Sequence, residues 1–228
     1  MVRKKQTQGT CVFCDREMTR SGLAKHLKSC PQRQEAIGAA DQGAGSRQPI
    51  YHLQIEDAWD GQYWLHLEMK GGSTLKELDR YLRAIWLECC GHMSEFLVGS
   101  GWGGRKVAAS RRAEQTFEPG LVLTHIYDFG TSSETLIKVV DVRQGKPLSR
   151  HPVFLMARNK PLEAKCTECG KPAAWLCLEC VYDHDELGTL CDRHAKDHPH
   201  DEYGEPVPLV NSPRIGMCGY VGPADPPY

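Results

Sequence analysis

Cysteine and histidine residues recur in closely spaced groups at both ends of this chain. Most of the eleven cysteines stand in Cys-x2-Cys pairs with histidines nearby. Such pairs are typical of metal binding in a reducing compartment, whereas a secreted chain would use them as disulfides. The basic start Met-Val-Arg-Lys-Lys is not followed by the apolar stretch of a secretory signal. We therefore expect reduced thiols, bound metal and a cytoplasmic location.

The first group, Cys11-x2-Cys14-x11-His26-x3-Cys30, has the spacing of a small ββα zinc finger within residues 1–33. A knuckle supplies two thiolates, and His26 and Cys30 stand at i and i+4 on one face of a short helix. A segment this short cannot build a core of its own. Zinc binding, worth roughly 10–16 kcal/mol in such peptides, would supply most of its folding energy.

The second group, in residues 161–228, supplies enough ligands for two more zinc ions: Cys166, Cys169, Cys177, Cys180, Cys191, His194, His198 and His200. Its ordered pairs resemble the cross-braced arrangement of B-box fingers. That resemblance implies one ion shared by the first and third pairs and another shared by the second and fourth.

Two alternatives stay open for this second group. A single four-cysteine ribbon from Cys166 to Cys180 would leave Cys191 and the histidines unused. The fourth ligand of the second ion could also be a neighbouring side chain: Asp183, His184, Asp185 or Asp192. With every position filled by protein, the zinc ions are expected to be structural rather than catalytic.

Charge is distributed unevenly, although the formal net charge is only -1. Residues 1–33 carry eight Lys/Arg against two acids, while residues 181–206 carry eight acids against two Lys/Arg. The finger is therefore expected to contact nucleic acid or a protein partner through its basic residues, Arg16, Arg20, Lys25 and Lys28. The acidic C-terminal group is not expected to bind phosphate.

The finger also resembles the Cys-Cys-His-Cys fingers of ubiquitin-binding repair adaptors. The shared features are the knuckle, the spacing and the helix sequence ending in His-Leu-x-Ser-Cys. The resemblance implies an alternative function as an adaptor for a ubiquitin-like protein. Lys28 stands where those fingers commonly carry an acidic residue, which leaves phosphate contact as the competing expectation.

The middle of the chain predicts an α+β domain over residues 49–160, with a mixed or antiparallel sheet and one main helix. Two alternating runs flank Asp60-Gly61, a strong β-hairpin signal. Thr74-x-x-Glu77 is a capping box for a helix over about residues 75–88. Further strands are predicted at 95–98, 121–128 and 135–142. Residues 34–48, rich in Ala, Gly and small polar residues, predict a flexible linker to the finger.

Five short motifs in this domain and the tail are similar to the plasmid pRi open-reading-frame-three-like family, also described as insertion-sequence passenger proteins. They are YHLQI, TLKELDRYLRAIWLE, GHMSEFLVG, THIYDFG and NSPRIGMCGY. The resemblance covers about residues 50–155 and implies a compact α+β fold in a bacterial or mobile-element context. It implies no reaction.

Catalytic residues are not assigned. His92, His125 and Asp128 are weak acid/base candidates, and Cys89-Cys90 is expected to behave as a pair of small buried apolar residues. No membrane span and no small-molecule substrate are indicated. We expect a non-enzymatic zinc-binding or adaptor protein holding three zinc ions. An enzyme with a pocket around Tyr127, Asp128 and His92 is the alternative from another class.

Overall fold

A computed structural model describes residues 6–184, 186–199 and 202–228. Within them one large sheet is formed by β1 (Gln8–Cys11), β2 (Glu17–Thr19), β3 (Gln48–Asp57), β4 (Trp64–Lys70), β5 (Ser94–Val98), β6 (Arg105–Val107), β7 (Val122–Tyr127), β8 (Ser133–Gly145) and β9 (Val153–Asn159). The spatial order is β2-β1-β9-β4-β3-β8-β7-β5-β6, and neighbouring strands are antiparallel. The predicted α+β class with an antiparallel central sheet is confirmed.

The helices are α1 (Arg20–Ser29), α2 (Pro31–Gln42), α3 (Leu75–Leu82), α4 (Leu178–Tyr182) and α5 (Asp192–Lys196). A π-helical turn (Arg83–Leu87) extends α3, and 3-10 turns occur at Ala113–Gln115 and Met217–Gly219. A small sheet near the C-terminus contains β10 (Trp175–Leu176), β11 (Thr189–Leu190) and β12 (Val207–Pro208). Among the described residues no helix has the length and apolar character needed to span a membrane.

The predicted hairpin is present as β3 and β4, which pair from Ile50 opposite Lys70 to Glu56 opposite Trp64. Its turn is held by Asp57, whose carboxylate accepts hydrogen bonds from the backbone N–H groups of Trp59, Asp60 and Tyr63 at 3.0–3.2 Å. The turn thereby satisfies backbone donors that the two strands leave unpaired.

The main helix covers one face of the sheet. Thr74 and Glu77 form the predicted capping box, with the Thr74 backbone N–H donating to Glu77 Oε2 at 2.6 Å. Such caps contribute about 1 kcal/mol. The buried face of α3 and its π-helical turn, including Leu78, Leu82 and Trp86, packs with Leu65, Leu67 and Met69 in the principal core. The sequence places the helix at about 75–88, and the structure ends it at Leu87 with π geometry in its last turn.

The N-terminal finger extends the sheet instead of standing apart from it. Strand β1 pairs with β9, with Gly9 opposite Asn159 and Cys11 opposite Ala157. A Cβ atom on Gly9 would lie 2.1 Å from the Arg158 carbonyl oxygen, so only glycine permits this close approach. Leu23 and Leu27 of α1 are fully buried and pack in a second core on the side of Trp64 and Met156.

The prediction of a flexible linker over residues 34–48 is wrong for most of its length, because α2 runs from Pro31 to Gln42. Proline at the first helical position and the strong helix formers alanine, glutamine and glutamate favour this helix. The Gly43 backbone N–H closes it by donating to the Ala40 carbonyl oxygen at 3.0 Å. Helix propensity therefore outweighs the small-residue composition that suggested flexibility. The domain boundaries stay a prediction.

The tail returns to the central domain after the small sheet. The Ser212 hydroxyl donates to the Trp86 carbonyl oxygen at 2.6 Å, and Arg214 is fully buried with Nη2 2.7 Å from Asp128 Oδ2. At the C-terminus the ring of Tyr228 stacks on His151 with centroids 4.0 Å apart. Residues 212–228 therefore complete the central fold.

Candidate metal centres

The N-terminal group brings together Cys11, Cys14, His26 and Cys30, with all four ligand atoms within 4.8 Å of one another. Cys11 ends β1, Cys14 lies in the following turn, and α1 carries His26. Asp15 adopts a left-handed φ of 56°, and its N–H donates to the Cys11 carbonyl oxygen at 2.9 Å, which closes the knuckle. The knuckle and helix therefore deliver four donors to one point, as the sequence predicts.

Burial affects the chemistry of these thiols. It raises the pKa of the Cys11 thiol to about 11. In the C-terminal group, burial and the neighbouring Cys177 thiol raise the pKa of Cys180 to about 12. Metal ligation requires the thiolate, and a bound cation supplies the charge that permits it to form. A cation bound beside Cys11 or Cys180 would therefore favour the thiolate form of that residue.

The C-terminal residues form two interleaved groups. Cys166, Cys169, Cys191 and His194 are together in one, and Cys177, Cys180 and His198 in the other. The two cysteine pairs that a single ribbon would join lie in different groups, so the structure does not favour the ribbon. His200 and Asp185 lie outside the described residues.

Two of the four alternative ligands of the second ion, Asp183 and Asp192, are hydrogen-bonded to other side chains. The Asp183 carboxylate accepts from the Tyr203 hydroxyl at 3.0 Å, and Asp192 accepts from Trp175 Nε1 at 2.8 Å. His184 Nε2 lies 3.7 Å from Glu179 Oε1. The described part of the chain thus groups three ligands here, and His200 stays the predicted fourth.

Donor separations in these groups suit zinc. Tetrahedral zinc with sulfur at about 2.3 Å and nitrogen at about 2.0 Å needs donor atoms roughly 3.5–3.8 Å apart. The measured separations are 3.2 Å for Cys14 Sγ to His26 Nε2, 3.3 Å for Cys166 Sγ to His194 Nδ1 and 3.9 Å for Cys169 Sγ to Cys191 Sγ. A disulfide would place sulfurs about 2.05 Å apart, and none of the eleven cysteines, all within the described ranges, forms one. The residues present fit metal ions.

The basic residues of the finger do not form one free surface. Arg20 forms an ion pair with Glu56 and donates to the Gly61 carbonyl oxygen at 3.3 Å. Lys28 Nζ lies 3.6 Å from Asp141 Oδ2 in an exposed pair. Arg16 and Lys25 are exposed. Of the four predicted contact residues, Arg20 therefore contributes to the fold, and the other three are exposed.

The acid/base candidates of the central domain lie at two different places in the structure. His125 is fully buried and its Nε2 lies 2.8 Å from Asp79 Oδ1. His92 instead faces Asp128, whose Oδ2 lies 3.4 Å from His92 Nε2. The three residues therefore do not form one acid/base group.

One further group of cysteine and histidine side chains was not predicted from the sequence. Cys89, Cys90, His92 and Cys218 also place their ligand atoms within 4.8 Å of one another. The expectation that Cys89-Cys90 is a buried apolar pair is wrong for Cys90, which is exposed. The signal in the sequence was Cys-Cys-x-His, which holds three metal ligands in four residues. The fourth ligand stands 126 residues beyond His92, and no local spacing rule reaches so far.

No family model matches the chain, and no curated protein matches it. Among solved structures it is similar to a protein of unknown function, MM3350, from Methanosarcina mazei Go1. The similarity has a TM-score of 0.42 with 16% sequence identity, and it covers 49% of this chain and 70% of the other.

Proposed function

We propose that this chain is a non-enzymatic zinc-binding adaptor whose N-terminal finger contacts a partner. The observation that carries the proposal is the assembly of Cys/His groups with donor separations that suit tetrahedral zinc. The groups at Cys11 and Cys166 each offer four protein ligands, which leaves no coordination position for a substrate water. Zinc in them would stabilise structure and present a surface.

The proposed partner is the phosphate backbone of a nucleic acid. Arg16 and Lys25 are exposed on the finger, and Lys28 is held only by an exposed ion pair, which contributes little. One finger spans only about three base pairs, so the contact would not select a sequence by itself. The acidic residues near Asp183 would keep the C-terminal groups away from phosphate.

The salt dependence of duplex binding tests this proposal. Three phosphate contacts give a slope of log K against log salt of about -2.7, since each contributes about -0.9. Replacing Arg16 and Lys25 with alanine should reduce the slope to about -0.9. Lys76→Ala, at an exposed position on α3, is the matched control and should leave the slope unchanged. Failure to bind a duplex at low salt would overturn nucleic-acid binding.

A ubiquitin-like protein is the second candidate partner, and one observation favours it. Arg20 and Lys28 are already paired with Glu56 and Asp141, which leaves the finger less positive than its sequence implies. Titration with ubiquitin, followed by the amide NMR signals of α1, distinguishes the two partners. Shifts confined to the exposed face of α1, together with absent duplex binding, would assign the finger to a protein partner.

The family and location are part of the same proposal. YHLQI, THIYDFG and NSPRIGMCGY support membership of the pRi open-reading-frame-three-like family, and with it a mobile-element context. The absence of disulfides among the cysteines, all of which are described, supports a reducing compartment such as the cytoplasm.

A further inference from the structure

Three ligand-type residues lie directly after the π-helical turn, and a fourth reaches them from the tail. Cys90 Sγ lies 3.7 Å from Cys89 Sγ, 3.6 Å from Cys218 Sγ and 3.0 Å from His92 Nε2. His92 Nε2 in turn lies 3.4 Å from Cys218 Sγ. Two distant segments of the chain thus place three sulfurs and one nitrogen around a single point.

The geometry does not suit a disulfide or a catalytic triad. The sulfur separations exceed the bonded distance of about 2.05 Å by more than about 1.5 Å. A Cys-His-Asp triad needs the thiol and the carboxylate on different ring nitrogens. Here Cys90, Cys218 and Asp128 all face the same nitrogen, Nε2 of His92. Several side chains are expected to lie near the same ring nitrogen when they surround a single metal ion.

We propose that Cys89, Cys90, His92 and Cys218 bind a zinc ion that fastens the tail to the central domain. The sulfur separations of 3.6 and 3.7 Å suit the tetrahedral edge of about 3.8 Å. Three soft thiolates and one imidazole select zinc over harder cations such as magnesium or calcium. Because the protein fills all four positions, the ion is structural.

The residues around the group support an anionic thiolate cluster. Zinc with three thiolates and a neutral histidine carries a formal charge of about -1. The guanidinium of Arg214 is fully buried beside it, with Nη2 3.4 Å from Cys89 Sγ and 2.7 Å from Asp128 Oδ2. The other nitrogen, Nη1, donates to the Thr131 carbonyl oxygen and to Ser133 Oγ, both at 2.9 Å. A hydrogen-bonded cation beside a ligand sulfur is an outer-shell contact of the kind that orients metal ligands and tunes the metal.

The tail backbone is bent to deliver Cys218. This residue adopts a left-handed φ of 51° between Gly216 and Gly219, which have φ values of 77° and 69°. A residue other than glycine is strained in that conformation, so the surrounding structure must compensate. A Cβ on Gly216 would lie 2.5 Å from Leu178 Cδ2, so the turn also packs against α4. A bond from Cys218 to zinc provides the compensation.

Cys218→Gly in the full chain tests the inference, because glycine accepts the backbone conformation while the ligand is lost. The zinc content by elemental analysis should fall by one ion per chain, and tail amides should exchange faster with solvent. Val221→Ser, an exposed change in the same tail, is the matched control and should keep the full zinc content. Equal zinc contents in wild type and Cys218→Gly would overturn the proposal.

A second measurement covers the case in which the variant does not fold. Wild-type protein reconstituted with Co²⁺ should show thiolate-to-cobalt charge-transfer bands. His92→Asn should lower the intensity of these bands by the contribution of one site. Cys14→Ser reports separately on the finger. Loss of one zinc in Cys14→Ser but none in Cys218→Gly or His92→Asn would overturn the tail site and leave the proposed function standing. Loss of one zinc in Cys218→Gly or His92→Asn but none in Cys14→Ser would support the tail site and overturn the proposed zinc site of the finger.

Discussion

Arg33 of α2 donates from Nη2 to Oε2 of Glu68 on β4 at 3.4 Å, with both side chains buried. The same guanidinium donates from Nη1 to the Leu27 carbonyl oxygen at 2.8 Å at the end of α1. Glu68 receives a second cation, Arg143, at 2.7 Å. One carboxylate therefore ties the finger, the helix after it and two strands of the sheet together.

Arg33→Ala should lower the free energy of unfolding by about 2–4 kcal/mol, because it leaves a buried carboxylate with one neighbouring cation instead of two. Urea denaturation measures the change. Arg47→Ala is the matched control, since Arg47 is mostly exposed and pairs with Asp41 at 3.0 Å. Its removal should cost less than about 1 kcal/mol. Equal effects of the two variants would show that α2 is not anchored through Glu68.

The finger lies over a buried histidine pair, which makes stability depend on pH. His52 Nε2 lies 3.0 Å from His66 Nδ1 on adjacent strands. Burial lowers the pKa of His52 to about 2, helped by His66, Arg33 and Lys28. Burial also lowers the pKa of His66 to about 4, opposed by its hydrogen bond to the Arg20 carbonyl oxygen. The unfolded chain therefore binds more protons than the folded one below the ordinary histidine pKa of about 6.5.

Stability from this pair is complete above about pH 6.5 and is lost as the pH falls toward the lowered values of the folded state. Between about pH 7.5 and pH 5.5 each histidine should cost about 1 kcal/mol of unfolding free energy. His52→Gln should show a shallower decline in urea denaturation over the same range. Acid-induced loss of the proposed metal ions would affect both proteins equally, so the difference between their declines isolates the contribution of His52. Parallel declines would contradict this account.

Alanine substitutions at two glycines are expected to change the stability of the protein in opposite directions. Gly9→Ala should destabilise the protein, since the new methyl group would lie 2.4 Å from the Trp64 ring and 2.1 Å from the Arg158 carbonyl oxygen. Gly38 lies in α2, and a Cβ added there would meet no atom within 4 Å. Gly38→Ala should therefore stabilise by about 0.5–1 kcal/mol through helix propensity. Thermal unfolding of both variants checks the opposite signs, and a loss of stability in Gly38→Ala would show that α2 is not helical.

Removing one ligand of the proposed finger metal site should destabilise the adjacent part of the main sheet. In Cys14→Ser, the amides of β9 that pair with β1 should exchange faster with solvent, because the proposed metal ion would supply most of the folding energy of the finger. Cys169→Ser, the matched change in the C-terminal module, should leave the β9 amides protected. Hydrogen exchange followed by mass spectrometry distinguishes these results. Unchanged β9 protection in Cys14→Ser would mean that the strand pairing holds without the metal.

Local sequence signals predicted the parts of the fold that local interactions determine. The hairpin around Asp60-Gly61 and the capping box at Thr74 depend on a few adjacent residues, and both are present. The burial of His66 and Glu68 on the opposite face of β4 was not predictable in this way. It results from the finger and α2 covering that face, which follows from the long-range pairing of β1 with β9.

The candidate metal ligands show the same difference between local signals, which the sequence reveals, and long-range contacts, which it does not. Cys11, Cys14, His26 and Cys30 are near one another in sequence, and their spacing was sufficient to group them. The sharing of Cys166 and Cys169 with Cys191 and His194 came from a resemblance to cross-braced fingers, because spacing alone also allowed a ribbon. Cys218 could be joined to His92 only when the path of the tail was known.

Both edges of the nine-stranded sheet end in short, charged strands. The interior strand β8 has 13 residues, whereas the edge strands β2 and β6 have three each. Glu17 stands on one edge, and Arg105 and Lys106 on the other. Long exposed edges invite pairing with other chains, and charge on a short edge discourages it. On the proposal that the finger folds around a metal ion, loss of that ion would expose the seven-residue strand β9 as a new and longer sheet edge.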